Sequence, residues 1–310
     1  MQPWIRTRTP KGNGVRVIES VGAGPVFLDV PPHLSTLSGV NADDDRRFRL
    51  TVHYDGSYFM GWQLQPRVRT VQSEMEAALK RITGRHFTVT GAGRTDSGVH
   101  STGQVAAVTL PPRWDTAELH RALNALLPSD IWVERVERVP DHFHPRYHAL
   151  ARSYRYQVGL VPGSASPFHR PWCWSLGRPV DLGLLRQAAS HLPGKHSFRA
   201  FSKSGQEHRG EICSVSEATW GAWEEVGVAF QITANRFLHH MVRYLVGTMV
   251  DVALRRRSLE ELEELLSAPE TPLVTSPPAP PEGLFLVGVH YPDPLPELDA
   301  DYPARDSALN

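Results

Sequence analysis

The chain of 310 residues is long enough for one large domain or two of ordinary size, and with 41 % apolar and 21 % charged residues it has the composition of a cored protein, not a disordered one. No stretch approaches the roughly 20 apolar residues of a membrane span, and Arg6 and Arg8 precede no apolar run, so neither a spanning segment nor a secretory signal is expected. The formal charge is zero, which excludes neither an acidic nor a basic face. Residues 291–310 hold Asp293, Glu297, Asp299, Asp301 and Asp306 against the single Arg305, so the remainder carries a positive surplus.

Lysine occurs only at positions 11, 80, 195 and 203, and every other basic residue apart from histidine is arginine. Codon bias explains that imbalance, and so does phosphate recognition, in which a planar guanidinium outperforms an ammonium. Count alone favours the bias. Cys173 and Cys213 make neither a disulfide framework nor a zinc site, which fits a reducing, cytoplasmic setting.

Residues 1–46 read as a flexible extension rich in Gly, Pro and Ser, with one strand signal at 25–30. Regular order begins at Arg47. Residues 48–54 alternate as a half-buried strand, and Asp55-Gly56-Ser57 is turn chemistry. Val71, Met75, Ala78, Leu79 and Ile82 form a helical stripe. A short strand is expected at 87–90, a glycine-punctuated loop at 91–98 and a strand at 105–108. A helix at 116–126, stopped by Pro128, precedes a strand at 131–136. The second group comprises a strand at 153–160, a helix at 182–192 and paired strands at 215–220 and 227–233. The longest helical run, 237–254, follows, then an acidic helix at 259–266 and a closing strand at 284–290. The pattern predicts two α+β halves, 47–150 and 151–292, followed by an acidic, Pro-rich tail at 293–310.

The loop Gly91-Ala92-Gly93-Arg94-Thr95-Asp96-Ser97-Gly98-Val99-His100 concentrates the chemistry. Its glycines bring backbone close to a ligand or simply turn tightly. They match neither a Walker loop nor a dinucleotide fingerprint. From His142 to Arg178 there is no acid, while Arg146, Arg152, Arg155, Arg170 and Arg178 alternate with Phe143, Tyr147, Tyr154, Tyr156, Phe168, Trp172 and Trp174. Cations interleaved with flat rings suit unstacked nucleic acid, and core packing explains the rings equally well. His142, His144 and His148 cluster around prolines, which suits a loop better than a metal cage. His239 and His240 fall inside the expected long helix, where neighbouring side chains diverge by about 100° and cannot readily share an ion. Arg243, one turn further on, is either a surface residue or one that needs an anionic partner.

These residues stand in an order that resembles the TruA family of tRNA pseudouridine synthases. The octet from Gly93 to His100 is similar to its signature. Tyr54-Asp55-Gly56-Ser57, Gly61-Trp62-Gln63 and Thr70-Val71-Gln72 resemble its opening landmarks. Gly103-Gln104-Val105, Asn124-Ala125-Leu126-Leu127-Pro128, Phe143-His144-Pro145-Arg146 and Ala151-Arg152-Ser153-Tyr154-Arg155-Tyr156 follow in register. His239-His240-Met241-Val242-Arg243 and Glu282-Gly283-Leu284-Phe285 complete the series, from about Arg47 to Pro292. Residues 1–46 have no counterpart, Ser153 stands where a second Arg is common, and His208-Arg209-Gly210-Glu211 replaces an Arg-Thr pair.

The resemblance implies the pseudouridine synthase fold, two α+β halves sharing a mixed, mainly antiparallel sheet around a basic cleft. It implies a cytoplasmic, homodimeric isomerase that needs no cofactor or metal and converts uridine to pseudouridine at positions 38–40 of the tRNA anticodon arm. By similarity Asp96 is the essential carboxylate, acting by covalent attack or by assisting glycal formation. Arg243 is its paired cation and keeps it ionised. Tyr154 stacks on uracil and assists loss of the C5 proton. Arg94 helps extrude the nucleotide, a step required because the base must leave its stack. Leu284 is an apolar wall, and His100, Arg152 and Arg155 are RNA contacts. A non-catalytic RNA-binding protein and a hydrolase pairing Asp96 with a second acid are the rival readings.

Overall fold

The structure is a computed structural model that describes residues 45–203, 210–268 and 271–296. The expected strand at 25–30, nearly all of the N-terminal extension, His208-Arg209 and the acidic tail beyond 296 lie outside the described residues.

Strand β1 (Arg46–Tyr54) buries Phe48, Leu50, Val52 and Tyr54 and turns Arg47, Arg49, Thr51 and His53 to its other face. That is the alternation a strand buried on one side requires. Helix α1 (Val71–Thr83) begins at a reciprocal capping box between Thr70 and Ser73, and Val71, Met75, Ala78 and Leu79 line its buried face. After the two-residue strand β2 (Thr90–Gly91) come β3 (His100–Leu110), α2 (Thr116–Leu126) and β4 (Ile131–Arg138). Asp115 caps α2 by accepting from the Glu118 amide. The inner residues of β1, β3 and β4 pack with α1 and α2 into one apolar cluster.

The second group opens with β5 (Ala151–Gly159), followed by β6 (Trp174–Ser175), α3 (Leu182–Ser190) and β7 (Gly194–Ser197). It continues through β8 (Ile212–Trp223), β9 (Gly227–Ala234), α4 (Met241–Ala253) and α5 (Leu259–Ser267) to β10 (Leu284–His290). Leu245, Val246 and Met249 of α4 are fully buried in a second cluster with Tyr156, Phe230 and Leu185. The closing strand joins the two groups. It lies parallel to β3 and antiparallel to β5, which gives the order β4-β1-β3-β10-β5-β9-β8-β7, with β2 beside β3 and β6 beside β5. All other pairings along the path are antiparallel. The expected mixed, mainly antiparallel sheet is thus present.

Two local expectations are corrected. The strand at 87–90 shrinks to the pair at Thr90 because the buried Glu76 carboxylate accepts from the Val89 amide, taking the donor a ladder would use. The long helix starts at Met241 rather than at 237, because His240 adopts a left-handed backbone, φ +64°, that breaks the helical run.

Candidate active site

The loop between β2 and β3 is clamped from several directions. Its first amide, Ala92, donates to the Val105 carbonyl, and the buried Gln104 side chain donates to the Gly93 carbonyl at 2.9 Å. The Trp62 amide donates to the Thr95 carbonyl, and the Tyr54 and Thr95 hydroxyls are bonded at 2.8 Å. Ser97 donates to the Phe59 carbonyl. This approach requires glycine at 61, where φ is +87° and a Cβ would collide with the Thr95 carbonyl oxygen. With its backbone consumed on the protein side, the loop presents the Asp96 carboxylate outward, 27 % exposed.

The segment before α4 supplies the facing wall. Turned by the left-handed residue at 240, both imidazoles converge on Asp96. His239 Nε2 lies 3.4 Å from Oδ1, and His240 Nε2 lies 3.3 Å from Oδ2. The two rings are 4.1 Å apart. The expected divergence by a helical step therefore does not occur, since neither histidine is inside the helix. Arg243, 13 % exposed in the first turn of α4, places Nη1 3.8 Å from Asp96 Oδ2 and donates from Nε to the Ala279 carbonyl at 2.7 Å. Of the alternatives open in the sequence, it is the half-buried cation with an anionic partner. Burial lowers the pKa of His240, with the charges of Arg243 and Lys203 and the neighbouring His239 acting in the same direction and Asp96 opposing them.

Tyr154 lies on the face of β5 that carries Tyr156, its ring edge-on to Phe237 at 4.9 Å. Burial pushes its hydroxyl up to about 12; Arg152 opposes this and the Asp96 charge adds to it. At neutral pH the group holds its proton. Leu284 is buried at the start of β10, opposite Tyr156 in register. Arg94 is exposed beside Asp96, with Nε donating to the Gln63 amide oxygen at 3.1 Å.

The protein contacts of the three expected RNA-binding residues are as follows. His100 is 1 % exposed, stacked on Phe285 with its ring 5.0 Å from Trp172, and its Nδ1 accepts from the Gly56 amide. Desolvation pulls its pKa below the usual imidazole value. It is a neutral packing residue behind the loop. Arg152 spends its guanidinium on the carbonyls of Ala92, Arg146, Ala149 and Asn235, so it ties β5 to the base of the loop. Arg155 points to the opposite sheet face from Tyr154, with its guanidinium 5.5 Å from the Phe285 ring centroid.

In the 142–148 cluster, His148 is buried; its Nδ1 accepts from the His144 amide and its Nε2 is 2.8 Å from the Pro296 carbonyl oxygen. His144 Nδ1 accepts from the Arg146 and Tyr147 amides. These nitrogens are used in loop structure. Among the described residues, Asp96, His239 and His240 are the group whose ligand atoms, all within 4.8 Å of one another, suit a metal ion. Sequence reasoning missed this convergence. The signal available was the lack of a Ser, Thr, Asp or Asn cap immediately before Met241.

A family model described as tRNA pseudouridine synthase matches residues 50–148 and 188–292. The tRNA pseudouridine synthase A of Moorella thermoacetica is 40 % identical over 248 residues, 78 % of this chain and 98 % of the relative. That of Cereibacter sphaeroides is 38 % identical over 254 residues, 80 % and 98 % of the two chains. That of Maridesulfovibrio salexigens is 36 % identical over 253 residues, 79 % and 90 %. A solved dye-decolorizing protein from V. cholerae has a TM-score of 0.19 at 10 % identity over 69 % of this chain and 87 % of its own, which carries no argument.

Proposed function

The chain belongs to the tRNA pseudouridine synthase family, and from that premise we propose that it isomerises uridine to pseudouridine at positions 38–40 of the tRNA anticodon arm. The observation that carries the reading is a carboxylate held outward on a clamped loop, faced by a half-buried arginine and acting electrostatically on a half-buried tyrosine, whose pKa its charge helps to raise. Isomerisation breaks the N1–C1′ bond, forms C5–C1′, removes the proton from C5 and returns one to N1, so no atom is gained or lost. Asp96 starts it, by attack on C1′ or by taking the 2′ proton. Arg243 supplies the compensating charge beside the carboxylate.

Tyr154 stacks on the extruded uracil. Its hydroxyl is protonated at neutral pH and burial reinforces this, so it takes the C5 proton only while giving up its own, which passes through solvent to N1; it is a relay and not a standing tyrosinate. Leu284 bounds the apolar side of the pocket. Arg94, on the exposed rim, takes the space left when the nucleotide is flipped out. The working form is a cytoplasmic homodimer that holds tRNA. Each chain is read as two halves, 47–150 and 151–292, a division supported by one apolar cluster drawn from residues 48–136 and another drawn, apart from Val99, from residues 154–284, while a small third cluster packs across it.

The test is carbodiimide mapping of a tRNA transcript incubated with the protein. Pseudouridine in the anticodon arm is the expected result. Release of free uracil supports the hydrolase reading instead, and tight binding without a mapped product supports the RNA-binding one.

A further inference from the structure

The isomerisation needs a carboxylate and a cation, yet two imidazoles also converge on Asp96. Each carboxylate oxygen has its own facing nitrogen, at 3.4 Å from His239 and 3.3 Å from His240. Zinc bonds of about 2.0–2.2 Å to nitrogen and oxygen, opened to a tetrahedral angle, place neighbouring ligand atoms roughly 3.3–3.5 Å apart. The two nitrogen–oxygen separations are of that size, each to a different carboxylate oxygen, and one ligand atom from each residue lies within 4.8 Å of the others, so a small closing of the three groups completes the triangle.

We propose that Asp96, His239 and His240 form a binding site for a borderline divalent transition ion such as Zn²⁺, and that filling it shuts the enzyme off. Two imidazoles and one carboxylate are donors that favour zinc, cobalt, nickel or copper over magnesium, which prefers an octahedral shell of oxygens. Three protein ligands leave a fourth position open to water. The site is reachable from solvent, with side-chain exposures of 27 %, 36 % and 18 % for Asp96, His239 and His240.

Preorganisation comes from the backbone. The clamped loop fixes Asp96, the left-handed residue fixes His240, and the His239 carbonyl accepts from the Lys203 amide. Arg243, 3.8 Å from Asp96, and the charge of Lys203 repel a dication. They hold the affinity in the micromolar range, well short of a structural zinc site. An ion seated there occupies the carboxylate that the proposed reaction requires.

The inhibitory half of the inference rests on the isomerase reading; the binding half does not. Co²⁺ titrated into the full chain without RNA should give one micromolar site with the visible ligand-field absorption of tetrahedral cobalt. Zn²⁺ should displace it and millimolar Mg²⁺ should not. Asp96→Asn should abolish the band. His240→Asn, which tolerates the left-handed backbone, and His239→Gln should each weaken binding at least tenfold. Zn²⁺ should stop pseudouridine formation over the same concentrations, reversibly with a chelator. Absence of the band at millimolar Co²⁺, or a band of unchanged affinity in both histidine variants, overturns the site. A cobalt site in a chain that makes no pseudouridine refutes the isomerase reading alone.

Discussion

The loop bearing Asp96 and the segment bearing His239 and His240 face one another across a single cleft, and they are held by opposite means. The loop is fixed by many weak constraints: amide-to-carbonyl bonds at Ala92 and Trp62, side-chain bonds from Gln104, Tyr54 and Ser97, and a glycine at 61 that lets two backbones touch. The histidine segment turns on one strained residue, His240, and leads into a helix whose N-terminus has no side-chain cap. The contrast teaches that a site can pair a wall clamped by many bonds, where chemistry demands aim, with a wall turned at one left-handed residue and tied by fewer.

The largest effect expected from breaking this arrangement without touching Asp96 comes at Tyr154. Tyr154→Phe keeps the ring and removes the hydroxyl relay. Single-turnover pseudouridine formation should fall by about 10²–10⁴ while tRNA affinity stays near that of the unaltered chain. A rate within a few-fold of the parent would reduce Tyr154 to a stacking platform, worth about 1–3 kcal/mol.

On the clamped wall, Gly61→Ala forces a Cβ against the Thr95 carbonyl at a positive φ. Denaturant melts should show a loss of about 1–3 kcal/mol, with activity falling in step as the loop is displaced. On the other wall the sign reverses. His240→Gly relieves a left-handed non-glycine residue, so the same melts should show no loss and a gain of up to about 1 kcal/mol. Equal destabilisation by both substitutions would erase the distinction between the walls.

The smallest effect is expected at Arg155, whose guanidinium lies against Phe285 on the far face of the sheet. Arg155→Ala should leave tRNA affinity and its salt dependence unchanged within about twofold, since a phosphate contact would show in that slope. A flattened slope in filter-binding titrations would return Arg155 to the RNA surface.

Much of this architecture is legible from local pattern. The alternation of Phe48, Leu50, Val52 and Tyr54 is enough to place β1, and the Asp115 cap with the Pro128 stop delimits α2, because those signals act within a few residues. Asp96 is legible by another route: its glycine-framed loop alone reads equally as a tight turn, and the ordered motifs around it are what single it out through their resemblance to a family signature. What escapes is decided by partners distant in the chain. The expected strand at Phe87 is lost to a carboxylate on α1, and the half-buried Arg152 is bonded to carbonyls at 92 and 235. His100 is expected as an RNA contact beside a signature loop, and its burial under β10 and Trp172 is not signalled locally. The convergence of His239 and His240 depends on one left-handed backbone angle at His240, which the missing cap before Met241 and the tolerance of histidine for that region only faintly signal.

The account rests on Asp96 being the group that does the chemistry, and one substitution addresses it directly. Asp96→Asn preserves size and shape and removes the charge that Arg243, His239 and His240 face. The measurement is single-turnover pseudouridine formation on an anticodon-arm tRNA at saturating protein, with affinity determined separately. The account predicts a folded variant that binds tRNA and forms no detectable pseudouridine. Substantial turnover by an Asn variant verified by mass to be free of deamidation would contradict it.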